Sequence, residues 1–231
     1  MAISLVATTS ADAASGNINF THGLTLLSGD VVIAPINVNG AGNTTTDNNG
    51  STPFSVADSA ANPDSATAYI YYRVCGASEP SAYAWTLGSS NRRSIVLRQY
   101  RGVDSSVWDV APSASNRDTG SGDANAEALA ITILTPGACG LVVMCDDFLP
   151  TTTTFSSIDN GYSNVKSESG QQYLVTADKL NLSTGTTGIT TITSSANVAW
   201  VTWQCALKPA ATIVLPPRKV LNWQAVKRAN I

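Results

Sequence analysis

Residues 66–87 read ATAYIYYRVCGASEPSAYAWTL, and this stretch decides the fold class. In residues 81–87 large side chains recur at every second position, which is the period of a strand with one buried face. Residues 66–74 are rich in tyrosine and β-branched residues, which favour strands. The link at residues 76–80 has hairpin length and contains turn-forming residues. The stretch therefore predicts two strands joined as a β-hairpin.

Similar apolar runs, bounded by turn residues, recur along the chain. They include residues 31–38, 94–101, 127–134, 141–145 and 198–207. We predict about ten strands in all, because helix-forming residues are scarce and the runs favour β-structure. Short links without interleaved helices predict an all-β protein, an antiparallel β-sandwich of jelly-roll type.

Three segments carry finer predictions. Pro35 lies inside an apolar run and has no N–H to donate, so we expect an edge strand or a bulge there. Residues 141–145 are predicted to pair with residues 127–134 across the turn at residues 135–137. Residues 39–53 are rich in Gly, Asn and Thr, which predicts a long exposed loop.

Composition restricts the class of protein. The chain has 231 residues and 43% of them are hydrophobic, enough for one large β-sheet body. Only 13% are charged, against roughly 25% in ordinary domains. This balance is typical of β-rich extracellular or virion proteins.

The longest apolar stretch, residues 128–145, is interrupted by Pro136 and two glycines, so we expect no membrane span. The apolar run at residues 3–7 is too short for a signal peptide, and we expect no export by the usual route.

Motifs for chemistry are scarce. No nucleophile elbow, phosphate-binding loop or zinc-protease motif occurs in the chain. His22 lies in a turn-like context and is expected to be solvated. Asp146 and Asp147 follow an apolar run, where we favour a strand end turning into solvent over a calcium site or a catalytic carboxylate pair, because no third carboxylate stands at ligand spacing. We expect a non-enzymatic protein without metal or cofactor.

Cysteines and aromatic residues leave alternatives open. Cys75, Cys139, Cys145 and Cys205 are either buried free thiols or include a disulfide, and three pairings are possible.

The tryptophans Trp85, Trp108, Trp200 and Trp203 suit either a sugar-stacking platform or the core. Because Trp200 and Trp203 are three positions apart on one predicted strand, they face opposite sides of a sheet, and we favour the core. Tyr69 and Tyr71 share a face and could form an exposed stripe.

The charge of the chain is divided between two regions. The predicted body, residues 1–207, carries eight cations against sixteen carboxylates, whereas the C-terminal arm, residues 208–231, carries five cations and no carboxylate. We expect the arm to dock on an acidic protein surface, including that of a sister subunit, which implies a homo-oligomer. Nucleic acid is not expected, because the acidic body would repel it. The predicted partner-binding residues are Ile213, Leu215, Arg218, Lys219, Leu221, Trp223, Lys227 and Arg228.

Three motifs together resemble a known family. They are Gly29-Asp30 before an apolar run, Tyr71-Tyr72-Arg73-Val74 leading to Glu79-Pro80, and Tyr100-Arg101-Gly102-Val103-Asp104. This succession is similar to a β-sandwich domain common in structural proteins of tailed phages and prophages. We expect structural roles for the motifs: Gly102 takes a positive φ, and Asp104 accepts hydrogen bonds from the turn backbone.

The resemblance implies a virion protein assembled in the host cytoplasm. We favour a capsid decoration or cement protein bound to the major capsid protein or to tail proteins. Two alternatives stay open. A tail or receptor-binding adhesin would use the loops at residues 39–53 or 151–164, and a carbohydrate-binding β-sandwich module would bind a glycan.

Overall fold

The computed structural model describes residues 1–40, 45–49, 53–63, 66–88, 91–146 and 154–211. This part of the chain is nearly all β-structure. One short 3₁₀ helix, Ala114–Asn116, is the exception within it. The strands are β1 (Ser4–Ala13), β2 (Ile18–Thr21), β3 (Val31–Asn39), β4 (Thr45–Asp47), β5 (Ser55–Ala61), β6 (Ala66–Val74), β7 (Ala82–Leu87), β8 (Arg93–Arg101), β9 (Val103–Val110), β10 (Arg117–Ala128), β11 (Thr132–Ile133), β12 (Ala138–Asp146), β13 (Phe155–Ile158), β14 (Ser163–Glu168), β15 (Tyr173–Leu182), β16 (Gly185–Thr186) and β17 (Thr190–Pro209).

Two large sheets form the body. The first has five strands in the order β1-β8-β3-β6-β5. The second has seven strands, with the path β10-β17-β12-β15-β14 and with β9 and β13 also paired to β17. Neighbouring strands in both sheets are antiparallel. The prediction of an all-β antiparallel sandwich is therefore confirmed.

The main core lies between these two sheets. Alternate residues of β8, such as Val96 and Tyr100, face the seven-stranded sheet, and Leu141, Val143 and Trp203 face back toward them. Such alternation follows from the two-residue period of a strand.

Both sheets are also covered on their outer faces. A small sheet, β2-β7-β4, covers the five-stranded sheet, where Trp85 packs with Val32 and Leu97. On the seven-stranded sheet, Val142 and Ile192 belong to a third apolar cluster. Because both faces are covered, β3, β8 and β12 are buried along nearly their whole length. This explains why β3 and β12 read as nearly continuous apolar runs, whereas β8 also buries polar residues such as Arg98 and Gln99.

Two predicted hairpins are wrong. β6 pairs with β3 and β5, whereas β7 pairs with β2 and β4 in the small sheet, so residues 75–81 cross from one sheet to another. Likewise β12 pairs with β15 and β17, and no part of residues 127–134 pairs with it. A short link limits the distance between two strands, but it does not fix which sheet the second strand joins.

Pro35 also departs from its prediction, because β3 lies at the centre of its sheet and not at an edge. Its register with β6 is continuous, but the pairing with β8 has a gap opposite Ala34 and Pro35 and resumes without a shift at Ile36. The missing N–H is thus accommodated by a local gap in one ladder. The predicted exposed loop at residues 39–53 contains β4, which pairs with β7.

Candidate functional site

The first and third family-like motifs meet in a buried corner around Asp30. Its carboxylate accepts hydrogen bonds from Arg101 Nε (2.8 Å) and Nη2 (2.9 Å), Gln99 Nε2 (2.6 Å) and the Leu27 N–H (3.0 Å). Burial alone would raise the pKa of Asp30, but these hydrogen bonds outweigh burial and hold the pKa below its usual value. The carboxylate is thus fully engaged in joining the turn before β3 to the end of β8.

Gly102 closes this corner. Its φ is +82°, and a Cβ at this position would lie 2.3 Å from the Ala2 carbonyl oxygen. Asp104 Oδ1 accepts a hydrogen bond from the Ser106 N–H at 2.9 Å. The predicted positive φ of Gly102 is confirmed. Asp104 accepts a backbone hydrogen bond, but the donor belongs to strand β9 and not to the turn.

The second motif forms a buried ion pair. Arg73 Nη2 lies 2.6 Å from Glu79 Oε2, and both side chains are almost wholly buried. Glu79 also accepts hydrogen bonds from the Gly76 N–H (2.6 Å) and the Tyr83 hydroxyl (3.0 Å). The guanidinium of Arg73 lies 5.5 Å from the centroid of the Tyr83 ring. These contacts fix the crossing from β6 to β7.

The prediction of a solvated His22 is wrong. The residue is buried, and its ring packs against the Tyr83 ring at a tilt of 30°, with centroids 4.6 Å apart. Nδ1 accepts a hydrogen bond from the Leu24 N–H (3.0 Å), so Nε2 carries the proton that is donated to the Pro80 carbonyl (2.8 Å). Both ring nitrogens are therefore used in holding two turns together.

The expected solvent-facing strand end at Asp146 is also wrong, because Asp146 is fully buried at the end of β12. Its backbone carbonyl accepts a hydrogen bond of 2.6 Å from Asn37 Nδ2 on the opposite sheet. Asp147 lies outside the described residues. Within the described ranges, no cluster of three or more His, Cys, Asp or Glu residues is arranged to hold a metal ion.

The tryptophans are divided among separate surfaces. Trp85 belongs to the cluster under the small sheet, Trp203 to the core between the large sheets and Trp200 to the opposite face. The predicted opposite orientation of Trp200 and Trp203 is confirmed. Trp108 is half-buried and contacts the Tyr72 ring edge-on at 5.5 Å. These four residues therefore do not form a common sugar-stacking platform.

Tyr69 and Tyr71 stack on each other at 5.8 Å, and Tyr71 is buried, so they form no exposed stripe.

All four cysteines are buried free thiols, so the structure favours the free-thiol alternative over a disulfide. Burial, with a smaller contribution from Glu79, raises the pKa of Cys75 to about 12. The thiolate form that reacts with oxidants and electrophiles is accordingly disfavoured.

A buried charge network that the sequence did not reveal joins the two large sheets. Arg98 on β8 and Asp178 on β15 are fully buried, with Nη2 2.9 Å from Oδ2. Arg98 also donates hydrogen bonds to the Tyr100 hydroxyl (2.8 Å), Thr176 Oγ1 (2.8 Å) and the Asn164 carbonyl (3.1 Å). Asn164 Nδ2 donates to Asp178 Oδ1 at 2.6 Å. This network clamps the five-stranded sheet to the seven-stranded sheet.

The described chain ends at a corner of the sandwich, and the first two residues of the predicted arm, Lys208 and Pro209, still belong to β17. β17 extends to Pro209, the Ala210 N–H donates to the Gly102 carbonyl (2.8 Å), and the Met1 amino group donates to the Ala210 carbonyl (2.9 Å). Met1 and Leu134 are each 68% exposed, and the turn after Leu134 lines the same depression as Met1 and Ala210. We call Met1, Gly102, Leu134, Pro209 and Ala210 the arm-root corner.

The predicted partner-binding residues beyond this corner lie outside the described residues. These are Ile213, Leu215, Arg218, Lys219, Leu221, Trp223, Lys227 and Arg228. No helix in the described ranges is long and apolar enough to cross a bilayer. A comparison of the chain with models of known protein families, with characterised proteins and with solved structures finds no match.

Proposed function

We propose that the chain is a non-enzymatic structural protein of a tailed-phage virion, and within it a capsid decoration or cement protein. It attaches through its C-terminal arm to other virion proteins, either the major capsid protein or tail proteins, and it assembles as a homo-oligomer. The observation that carries the proposal is the position of the arm-root corner, where the cationic arm leaves an acidic body beside exposed Met1 and Leu134.

Charge and apolar content together select the kind of partner. The five cations of the arm would be attracted to an acidic surface, and its large apolar side chains each gain roughly 1.5–3 kcal/mol when fully buried. A surface that satisfies both demands is an acidic protein face with apolar depressions. A neighbouring subunit or a capsid lattice offers such faces in regular repetition.

The family-like motifs support a scaffold role for the body. The motifs form two ion pairs within the fold, between Asp30 and Arg101 and between Glu79 and Arg73. Groups engaged in this way stiffen the ends of the five-stranded sheet. A stiff body with one anchoring segment suits reinforcement of a lattice, because little conformational entropy is lost when it binds.

The test compares the intact chain with a chain that lacks residues 212–231. Both are added to particles purified from the host, and bound protein is located by electron microscopy and quantified after sedimentation. We expect the truncated protein to keep its β-rich circular dichroism spectrum and to lose binding. Normal decoration by the truncated protein would contradict attachment through the arm.

The same preparations separate the alternatives. Density at the tail tip would favour an adhesin. Binding on a glycan array that is lost in Trp108→Ala would favour a carbohydrate-binding module, since Trp108 is the half-buried tryptophan in the described part of the chain.

A further inference from the structure

A cavity lies between the outer face of the five-stranded sheet and the small sheet, at the end of β1. It is lined by Ala11 and Ala13 of β1, by Arg93 and Ile95 of β8 and by residues 17–20 around β2. Ala13 pairs with Arg93 and Ala11 pairs with Ile95, so these four side chains share one face of the sheet. The two alanines are too small to fill the space beside β2. The resulting cavity has a volume of about 70 Å³, several times the roughly 10–15 Å³ that one water molecule needs.

The cation in this cavity differs from the other buried cations of the protein. Three arginines are buried in the part of the chain that the structure describes, Arg73, Arg93 and Arg98. Arg73 lies 2.6 Å from Glu79 and Arg98 lies 2.9 Å from Asp178. No carboxylate of the described residues forms an ion pair with Arg93. A buried charge is costly unless it is paired, so Arg93 needs an explanation that the fold alone does not supply.

The hydrogen bonds of Arg93 leave part of its donor set unused. Nη1 donates to the Asn91 carbonyl (3.1 Å) and Nη2 donates to the Asn17 carbonyl (2.8 Å). Nε is buried and has no partner among the described residues. Burial lowers the pKa of Arg93, and the Asp12 carboxylate only partly opposes this effect. A guanidinium stays charged nevertheless, so the cavity contains a positive charge and an unused N–H donor.

Asp12 does not supply the missing counter-ion. It stands between Ala11 and Ala13 in β1, so its side chain points to the opposite face of the strand. On that face its carboxylate lies against Gly170, and burial together with the nearby Glu168 carboxylate raises the pKa of Asp12. An anion in the cavity would be separated from both carboxylates by the backbone of β1.

The remaining walls select the kind of anion. Ile18 and Ile95 are buried and Phe20 is half-buried, so the chamber is mainly apolar. The exposed residues Asn17 and Asn19 bring amide groups to its mouth. A phosphate dianion would leave most of its oxygens without donors in such a chamber. A carboxylate has one charge, is planar and matches the donor edge of a guanidinium, and the carbon atoms attached to it suit the apolar walls.

We propose that this cavity binds the carboxylate group of a small organic acid against Arg93, with the adjoining carbon atoms packed on the two alanines and Ile95. The volume admits a carboxylate and a few carbon atoms, which could belong to a short free acid or to the acidic end of a sugar that extends past Asn17. The cavity lies at the opposite end of β1 from the arm-root corner. The inference therefore goes beyond the proposed function and does not depend on the arm.

The experiment is an NMR titration of the full chain with sodium propionate, with the ionic strength held constant by sodium chloride. Propionamide, which has the same shape without the charge, is the control ligand. We expect propionate to shift the methyl resonances of Ala11, Ala13 and Ile95 saturably, with a millimolar dissociation constant because so small a ligand makes few contacts. Propionamide should bind at least about tenfold more weakly, since it lacks the charge-assisted hydrogen bond. Equal binding of the two ligands, or no saturable shift with propionate, would refute the site.

Two variants test the residues that carry the proposal. Arg93→Met should weaken propionate binding at least about tenfold, because it removes the charge and the donor. Arg117→Met is the matched control and should bind propionate as the unaltered chain does, since Arg117 pairs with Asp58 at another edge of the sandwich. Ala13→Leu keeps Arg93 but fills the cavity and should also lose binding. Circular dichroism checks that each variant is folded. Unchanged binding in folded Arg93→Met or in Ala13→Leu would overturn the proposal, and Ala13→Leu decides alone should Arg93→Met not fold.

A second ligand identifies the source of the carboxylate. N-Acetylneuraminic acid, a sugar with a carboxylate, is titrated under the same conditions. Binding at least about tenfold tighter than that of propionate would indicate an acidic sugar, because the ring adds contacts at the mouth of the cavity. Equal or weaker binding would indicate a small free acid. The chain without residues 212–231 should bind propionate as the intact chain does, so this test and the particle-binding test fail independently.

Discussion

Replacing Arg98 with methionine tests whether the buried charge network holds the two large sheets together. The substitution keeps an unbranched side chain in the core but removes the guanidinium that contacts Asp178, Tyr100, Thr176 and Asn164. Asp178 then stays in a fully buried site with two donors, the Asn164 amide at 2.6 Å and the Tyr100 hydroxyl at 3.1 Å. Neither of these donors carries a charge.

The size of the effect follows from burial. Removing one partner of a buried ion pair costs about 3–5 kcal/mol, because the remaining charge has no counter-ion in a medium of low dielectric constant. We expect Arg98→Met to lose this much free energy of unfolding. Adding Asp178→Asn removes the stranded charge, so the double variant should recover about 2 kcal/mol.

Guanidinium unfolding, followed by both circular dichroism and tryptophan fluorescence, gives the free energies. Arg117→Met is the matched control, because Arg117 also joins the two sheets but its ion pair with Asp58 is partly exposed. Asp58 further keeps the Trp203 Nε1 donor at 2.8 Å. The control should lose about 1 kcal/mol or less. Equal losses in Arg98→Met and Arg117→Met, or no recovery in the double variant, would refute the argument from buried charge.

Three further predictions concern the corner residues and the thiols. Gly102→Ala should lower the free energy of unfolding by at least about 2 kcal/mol, since a Cβ there lies 2.3 Å from a backbone oxygen. Gly29→Ala, with φ +85° but open space around it, should lower the free energy of unfolding by only about 1 kcal/mol. Denaturant unfolding of both variants measures these losses, and equal losses would contradict the argument from close contact. Because the hydrogen bonds with Arg101 keep the pKa of Asp30 below its usual value, its stabilisation is complete above about pH 4 and is lost as pH falls through the folded-state pKa. Asp30→Asn should therefore reduce the dependence of the unfolding free energy on pH below about pH 4. An unchanged acid dependence would count against this role. A thiol reagent at neutral pH should label Cys75 and the other three cysteines only after the protein is unfolded. Fast labelling of the folded protein would contradict the buried position of the thiols.

The sequence was sufficient for the fold class because that class depends on local patterns. The runs at residues 31–38 and 94–101 lie in strands β3 and β8 as predicted, and both strands are buried along nearly their whole length. Strand pairing was predicted less well, because the decisive contacts are not local. The Cys75 N–H donates to the Asp30 carbonyl (2.7 Å), and the Gly29 N–H donates to the Cys75 carbonyl (2.9 Å). These bonds hold the end of β6 against the start of β3, and the chain then leaves for the small sheet.

Buried polar residues were the least predictable part. Arg98 and Asp178 are 80 positions apart, and each alone reads as a surface charge on a strand. His22 was placed in solvent because Thr21-His22-Gly23 has the composition of a turn, yet the ring of Tyr83 covers it. In each case the partner that satisfies the polar group comes from a distant segment, so burial could not be inferred from the neighbouring residues.

The candidate interface combines both kinds of information. The charge division between the body and the C-terminal residues is visible in the sequence, but the place where those residues leave the body is not. That place depends on hydrogen bonds that join Ala210 to Gly102 and to Met1, two residues far from it in the sequence. The positive φ of Gly102 shapes this corner, so a residue of the family-like motif is joined through it to the assembly mechanism that we propose.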